Sequence, residues 1–473
     1  MRAQGRMPDR GGRAVVLGAG MAGMLAAGVL SGRVDEVVLV DRDRMPAGTA
    51  PRRGLPQARH AHLMMSGGAH VIEALLPGTV DAWVAAGARR VGVSDGIVVL
   101  GPGGWFPRRP DTKFLVSCTR DLLDAVVRAR VLALPRVALR DGTEAVELLG
   151  DRRRVAGVAV RETGGGAVEE LAADLVVDAS GRGSQAPHHL ARLGLPAIQE
   201  ETVDAGQVYA TRLFRAPPGT ERFPMVSIQP DPRSGTPGRA ATLLPVEGGR
   251  WLVTVAGTRG AEPTRRAADF EPFARTLRDP LIADLIARAE PLTDVHLTRS
   301  TVNRRRRFER LTAPPEGFLV LGDAVATFNP VYGQGLSVAA HSAAVLDRAR
   351  RDRPVHAAGF ARHVQREVAR ATAGPWGLAT GEDLNYPGTS GKRPPPAARL
   401  LRGYTQRMMR AATGDPAVLR ALTDLMTLSA PLTCLARPAV LLGVARGPGR
   451  HAQRHAPITP EELALCGLGG TRR

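Results

Sequence analysis

The stretch Arg13-Ala-Val-Val-Leu-Gly18-Ala-Gly20-Met-Ala-Gly23, an Ala/Leu-rich segment after it, and then Val37-Val-Leu-Val-Asp41-Arg-Asp43 decide the fold. Ala14 to Leu17 is apolar without alternation, the pattern of a buried parallel strand. Gly18, Gly20 and Gly23 follow in Gly-x-Gly-x-x-Gly spacing, Met21 to Leu30 reads as a helix, and Val37 to Val40 as a second buried strand. Gly18 permits the tight turn, Gly20 lets a pyrophosphate approach the backbone, and Gly23 lets helix and strand pack closely. Free N–H groups at the helix start then face the phosphates. Asp41 comes 18 residues after Gly23, close to the spacing expected of a carboxylate that accepts from the adenosine ribose. Strand, turn, helix, strand and acid in register predict a dinucleotide-binding unit.

Outward from that unit, composition bounds the rest. A chain of 473 residues is long for one core, so two domains and an appendage are expected. No uninterrupted apolar run reaches the ~18 residues of a membrane span. Residues 1–12 are polar, basic and glycine-rich, which predicts a flexible tail rather than a secretory signal, and a cytoplasmic protein. The formal charge of +19 is almost all arginine, since Lys113 and Lys392 are the only lysines. With aromatics at 4% there is no base-stacking platform, and no nucleic-acid motif is present. Cys118, Cys434 and Cys466 are too far apart for a disulfide framework or a zinc site, and no metal is expected.

Further along, Lys113 to Ser117 reads as a strand feeding a helix at Thr119-Arg120-Asp121, and Asp174 to Asp178 as a buried strand closed by Ala179-Ser-Gly181-Arg-Gly-Ser184. Val91 to Leu100 reads as one strand. From Gln207 to Val302 short strands separated by proline and glycine turns predict an antiparallel sheet, interrupted by one helix over Phe270 to Ala289. Phe318 to Ala324 returns to a buried strand, and Pro330-Val-Tyr-Gly333-Gln-Gly335 opens a helix from Leu336 to about Arg351. The expected class is α/β: a discontinuous Rossmann-like domain (13–205 and 303–385) with an inserted antiparallel substrate sheet (206–302). A linker (386–399) and a C-terminal helical region (400–473) complete the chain.

Three segments point at one ligand. Beside the glycine turn, Arg120 at a helix start directs a guanidinium at a pyrophosphate. Asp323 at a strand end can accept from a sugar-alcohol chain. The helix opened by Gly333 and Gly335 can aim its positive end at a ring that becomes anionic on reduction.

This set, with Val177-Asp-Ala-Ser-Gly181-Arg-Gly-Ser184, resembles the FAD monooxygenases of the para-hydroxybenzoate hydroxylase fold over about Ala14 to Arg351. The resemblance implies that Asp323 holds the ribityl chain of FAD and that the helix after Gly335 faces the pyrimidine edge of the flavin. The implied cofactor-binding set is Gly18, Ala19, Gly20, Met21, Ala22, Gly23, Asp41, Arg42, Arg53, His62, Arg120, Val146, Ser180, Gly181, Gly322, Asp323, Pro330, Gly333, Gly335 and Leu336. One departure is Ser180-Gly181 where hydroxylases of this group carry Asp-Gly, a position tied to NADPH handling.

Pro51 to His62, Tyr209 to Pro217, Ser300 to Arg304 and Asp323 to Gly333 are similar to the flavoprotein epoxidases of polyether antibiotic biosynthesis, those of the monensin and lasalocid pathways among them. That similarity implies epoxidation, through a flavin hydroperoxide and molecular oxygen, of several alkenes in a linear polyketide polyene, free or carrier-bound. Electrons come from NAD(P)H, directly or through a flavin reductase. Such oxygen transfer needs no side-chain nucleophile, so no catalytic residue is assigned. Tyr209, Phe214 and Trp251 are candidate wall residues of an apolar groove, though residues of this kind are more often ordinary core. Arg304 to Arg307 could meet an anionic substrate or form a solvated face. Aromatic hydroxylation on the same fold and non-oxygenating flavin binding stay open. A halogenase lacks support: it needs a relaying lysine and usually a Trp-x-Trp motif, and only Lys113 lies in the body.

Overall fold

The computed structural model describes residues 12–392, 396–449, 453 and 455–469; the expected tail lies outside these apart from Gly12. Its centre is a five-stranded parallel sheet in the order Phe318–Val320, Leu175–Asp178, Arg13–Leu17, Glu36–Val40, Val137–Arg140. Ala14, Val15, Val16, Val37 and Leu39 are fully buried, as strands covered on both faces must be. The helices Met21–Ser31, Arg120–Leu132 and Gly335–Asp352 pack around it. The first and last of these begin at the carboxyl ends of the parallel strands, where open α/β sheets bind ligands.

The antiparallel sheet is wider than the 206–302 segment that predicts it. Its order is His296–Thr298, Val208–Arg215, Arg250–Gly257, Arg239–Val246, Met225–Ile228, Ile97–Gly101, Gly104–Trp105, so two strands come from upstream. Ile97–Gly101 joins it in parallel with Met225–Ile228. Val91 to Leu100 is therefore not one strand: Arg89–Gly92 pairs with Phe114–Ser117 in a different sheet, and a turn closed by the Gly96 N–H donating to the Gly92 carbonyl (3.0 Å) separates the two. The single helix expected over Phe270 to Ala289 is two, Ala267–Arg275 and Leu281–Ile286, because Pro280 has no N–H to continue the first and instead caps the second.

Register fixes what each face of this sheet sees. Tyr209, Thr211 and Leu213 lie opposite Ala256, Thr254 and Leu252, while Ala210 and Phe214 lie opposite Val255 and Trp251. Alternation sends these two sets to opposite faces. The second set packs with Phe223, Phe270, Leu281 and Ile282 under the two short helices. The first set faces the parallel-sheet domain, and is called the front face below.

Phe360–Asp383, a 24-residue helix, follows the segment that resembles the family. Its buried Phe360, Val364, Val368 and Thr372 have helical spacing that is visible in the sequence, but Pro375 lies in its interior and obscures it. Ser390–Gly391, inside the expected linker, pairs with Val203–Asp204. The C-terminal region forms the helices Pro396–Ala411, Pro416–Met426 and Pro438–Arg446, with a core that includes Met408, Leu422 and Leu435.

Candidate functional site

The glycine turn is shaped as its spacing requires. Gly18 has φ +97°, and a Cβ there would lie 2.6 Å from the Ala179 carbonyl oxygen; a Cβ on Gly23 would lie 1.8 Å from the Gly18 oxygen. A Cβ on Gly20 would meet no protein atom within 4 Å. Gly18 and Gly23 are thus close-packing glycines, and Gly20 borders open space. The helix Met21–Ser31 has no side-chain cap and no acid in its first turn, leaving its first N–H groups for an anion. Ala19 and Met21 are buried and Ala22 partly exposed.

Asp41 is buried beside this turn. Its carboxylate accepts from the Ala19 N–H (2.6 Å), the Asp43 N–H (2.9 Å) and Arg52 Nη2 (2.9 Å). Arg52 also donates to the Ala19 carbonyl (2.8 Å) and lies within 3.3 Å of Asp43, its side chain only 7% exposed. Arg53, the arginine assigned from sequence, is exposed, as is Arg42. The buried arginine of the pair is Arg52, and no pattern in the sequence distinguishes the two. Val146 is the unpaired residue of a β-bulge, since Glu147 and Ala145 oppose the consecutive residues Ala159 and Val160.

The strand ending at Val320 brings Gly322 against the first helix: it has φ +61°, and a Cβ there would lie 2.6 Å from the Ala22 Cβ. Asp323 lies part-buried in a recess, where burial pushes its carboxyl up against the opposing pull of Arg120 and Arg182. Arg120 is itself buried, at the start of a helix capped by Thr119; its Nε donates to Asp124 (2.8 Å), and its terminal nitrogens carry no hydrogen bond among the described residues. Gly181 (φ +77°) opens a turn after Ser180, whose hydroxyl donates to the buried Asp178 (2.5 Å). Arg182 donates to the Ser300 and Val302 carbonyls at 3.0 and 3.1 Å.

His62 stands near Arg120. Its Nδ1–H donates to the His60 carbonyl (2.9 Å), and burial followed by Arg120 lowers its pKa to about 3. His60 Nδ1 shares a hydrogen bond with Thr211 (2.7 Å), and Thr211 shares one with Thr254 (2.7 Å). Burial, with His296 adding to it, lowers the His60 pKa to about 4. Both imidazoles are neutral near pH 7. Ala61, Leu63, Val93, Val99 and Leu213 add a part-buried apolar group between this segment and the sheet.

The turn Pro330–Tyr332 ends at Gly333 (φ +64°), where a Cβ would lie 3.4 Å from Leu63. The helix Gly335–Asp352 follows, again without a side-chain cap or an acid in its first turn, with Leu336 buried. Gln334 Oε1 and Ser337 Oγ at this helix start are buried without partners among the described residues. Two uncapped helix starts, a part-buried carboxylate and an arginine whose terminal nitrogens have no partner among the described residues suit a ligand with phosphates, a polyol and a polar ring edge. FAD has those parts.

Of the candidate wall residues, Tyr209 is on the front face and its hydroxyl donates to Asn329 (2.5 Å). Phe214 and Trp251 are on the opposite face, 4% and 0% exposed within the helix-covered core. Arg304 to Arg307 are engaged internally: Arg305 donates to the Ala369 carbonyl, Arg306 to Glu200 and Arg307 to Glu201, at 2.6–2.8 Å, and Arg304 to the Arg182 carbonyl. Lys113 pairs with Asp424 of the C-terminal helices at 2.9 Å. Sequence reasoning missed Arg52, Asn329 and Asp383 as site residues; Arg52 and Asn329 lay within the motif segments Pro51 to His62 and Asp323 to Gly333, and Asp383 lay in none. Among the described residues no group of three His, Cys, Asp or Glu could hold a metal, and no helix is long and apolar enough to cross a membrane.

The FAD binding domain family model matches residues 13–349. Protein Rv3254 of Mycobacterium tuberculosis is 31% identical over 426 residues, covering 87% of this chain and 88% of that protein. The p-nitrophenol 4-monooxygenase PnpA of Pseudomonas putida superposes with a TM-score of 0.60 at 18% identity, covering 88% of this chain and 98% of that one. The flavin-dependent brominase Bmp2 gives 0.53 at 16% identity, covering 93% and 95%. At these identities the two superpositions establish a shared fold.

Proposed function

Because the chain belongs to the FAD-binding domain family, we propose that it is an FAD-dependent monooxygenase that epoxidises alkenes of a linear polyketide polyene, as in polyether antibiotic biosynthesis. Bound FAD, once reduced, supplies the means of activating molecular oxygen for transfer. The protein's part is to hold and shield. The helix starting at Met21 and the Arg120 guanidinium hold the phosphates, Asp323 accepts from the ribityl hydroxyls, and the helix after Gly335 meets the ring edge. Leu63, Val99 and Leu213 offer an apolar surface that excludes water and can lie along a hydrocarbon chain.

The observation that favours an alkene over a phenol is the character of the polar groups on the front face. Ring hydroxylation of a phenol benefits from a base matched to the phenolic proton. Here His60, at about 4, is too weak a base, and the Tyr209 hydroxyl is committed to Asn329. An alkene has no proton to remove. The reductant is NAD(P)H, acting directly or through a separate flavin reductase.

The test incubates purified protein with FAD, NAD(P)H, oxygen and a linear triene acid or its carrier thioester, with and without a general flavin reductase. Products heavier by one oxygen per epoxide are expected. Hydroxylation of phenols with alkenes untouched, or hydrogen peroxide as the only product, overturns the reading.

A further inference from the structure

Asp383, the last residue of the Phe360–Asp383 helix, is 1% exposed and lies at the centre of a polar cluster that joins four segments. Its carboxylate accepts from the Tyr332 hydroxyl (2.6 Å), from Asn303 Nδ2 (2.5 Å) and from Asn329 Nδ2 (3.1 Å). Asn329 Nδ2 also donates to Gln207 Oε1 (2.6 Å), and its Oδ1 accepts from Tyr209 and from the Val331 N–H (3.3 Å). The Asn329 N–H donates to Asn303 Oδ1 (2.7 Å). All four side-chain partners of this pair are neutral. Burial, with Asp204 adding to it, pushes the Asp383 carboxyl up.

We propose that Asp383 and Asn329 are positioning residues that fix the Pro330–Gly333 turn and, through Tyr209, tie its placement to the front face of the antiparallel sheet. The proposal rests on the reading that this turn borders the flavin ring. Asn329 caps the turn, and Tyr332 within it is anchored to the end of a helix far away in sequence. The turn in turn sets where the helix at Gly335 begins. The sheet that would carry substrate reaches the same asparagine through the Tyr209 hydroxyl and through Gln207, immediately before the same strand, so movement of that strand is transmitted to the ring-facing turn without a covalent link.

The geometry also says which substitution is disruptive. The Asp383 carboxylate accepts from two amides and one hydroxyl. Asp383→Asn can therefore keep the amide donors on its oxygen only by turning its NH2 to the Tyr332 hydroxyl, which must then reverse from donor to acceptor, and the charge is lost. Tyr332→Phe and Tyr209→Phe each remove one hydroxyl and no volume. The experiment measures FAD affinity, the visible flavin absorption band, and the thermal midpoint without FAD for the parent and for Y332F, Y209F and D383N. Y332F and D383N are expected to weaken FAD binding about tenfold, the scale of one hydrogen bond to a charged group. Both should shift the flavin band, and Y209F should shift the band with less loss of affinity. Affinities within twofold of the parent and superimposable flavin bands in Y332F and Y209F overturn the proposal, even if D383N fails to fold. If the parent itself does not take up FAD, the cofactor reading has failed instead.

Discussion

The two ends of the proposed cofactor site are built on different principles. At the Gly18–Asp41 end a contiguous motif supplies the shape, and charge locks it: Asp41 is pinned by Arg52 and by two backbone N–H groups. At the Asn329–Gly335 end the fixing groups are neutral, donors from residues 209, 303 and 332 and an acceptor from residue 207, gathered on Asn329 and Asp383. The first end relies on close backbone approach and an ion pair, the second on a satisfied hydrogen-bond network. They should therefore fail differently.

The largest contrast lies within the glycine turn. Gly23→Ala places a methyl 1.8 Å from a backbone oxygen that cannot move without displacing the strand. A loss of about 4 kcal/mol or more is expected, with loss of flavin. Gly20→Ala meets no protein atom and should unfold at the parent temperature, yet bind FAD poorly because the methyl fills the space a pyrophosphate needs. Thermal unfolding and bound-flavin absorbance check both. Equal stability of the two variants would break the assignment of separate tasks to these glycines.

Next in size is Arg52→Ala, which strands a buried carboxylate. Two backbone donors remain on Asp41, so a cost of about 3 kcal/mol is expected, at the low end for a buried ion pair that loses one partner. Arg53→Ala, at an exposed side chain, should change chemical denaturation midpoints by less than about 0.5 kcal/mol.

Between the two ends, His60 gives a pH signature. Its folded pKa of about 4 is below the ordinary 6.5, so the unfolded chain takes up the proton first as pH falls. The stability tied to the neutral imidazole is fully present above pH 6.5 and is lost progressively down to about pH 4. The loss is about 3 kcal/mol at most for 2.5 pH units of difference. His60→Gln should flatten the acid limb of a denaturation-against-pH curve in that window. An unchanged limb would show that the imidazole is not held neutral against Thr211.

These contrasts explain what the sequence made legible. The glycine end could be read because Gly18, Gly20, Gly23 and Asp41 fall within a single βαβ unit whose spacing is itself the constraint. Arg52 was not separable from Arg53, since neighbouring residues differ only in which way a loop turns them. The other end draws on residues about 120 positions apart, and a cluster of that kind leaves no local period. Phe214 and Trp251 show a further limit. Strand alternation separated them from Tyr209 by parity, but which parity faced the cofactor depended on how the sheet docked, and their bulk went to the helix-covered core.

A further small effect concerns a residue outside both ends, and it bears on whether the site does anything but oxygen transfer. Lys113 is one of only two lysines, and its ammonium is held by Asp424 at the seam with the C-terminal helices. Its side chain is 23% exposed, so the pair is partly hydrated and Lys113→Met should cost about 0.5–1 kcal/mol in chemical denaturation. A relay of hypohalous acid through this lysine would need the amine free and facing the site, whereas here it is committed to a carboxylate on another element. Oxygen uptake coupled to alkene consumption should therefore stay within about twofold of the parent, because no step of the proposed transfer uses an amine. Bromide or chloride should give no halogenated product with either protein. Bromination by the parent that vanished in the Met variant would reverse this assignment and make the shared fold with the brominase a shared chemistry.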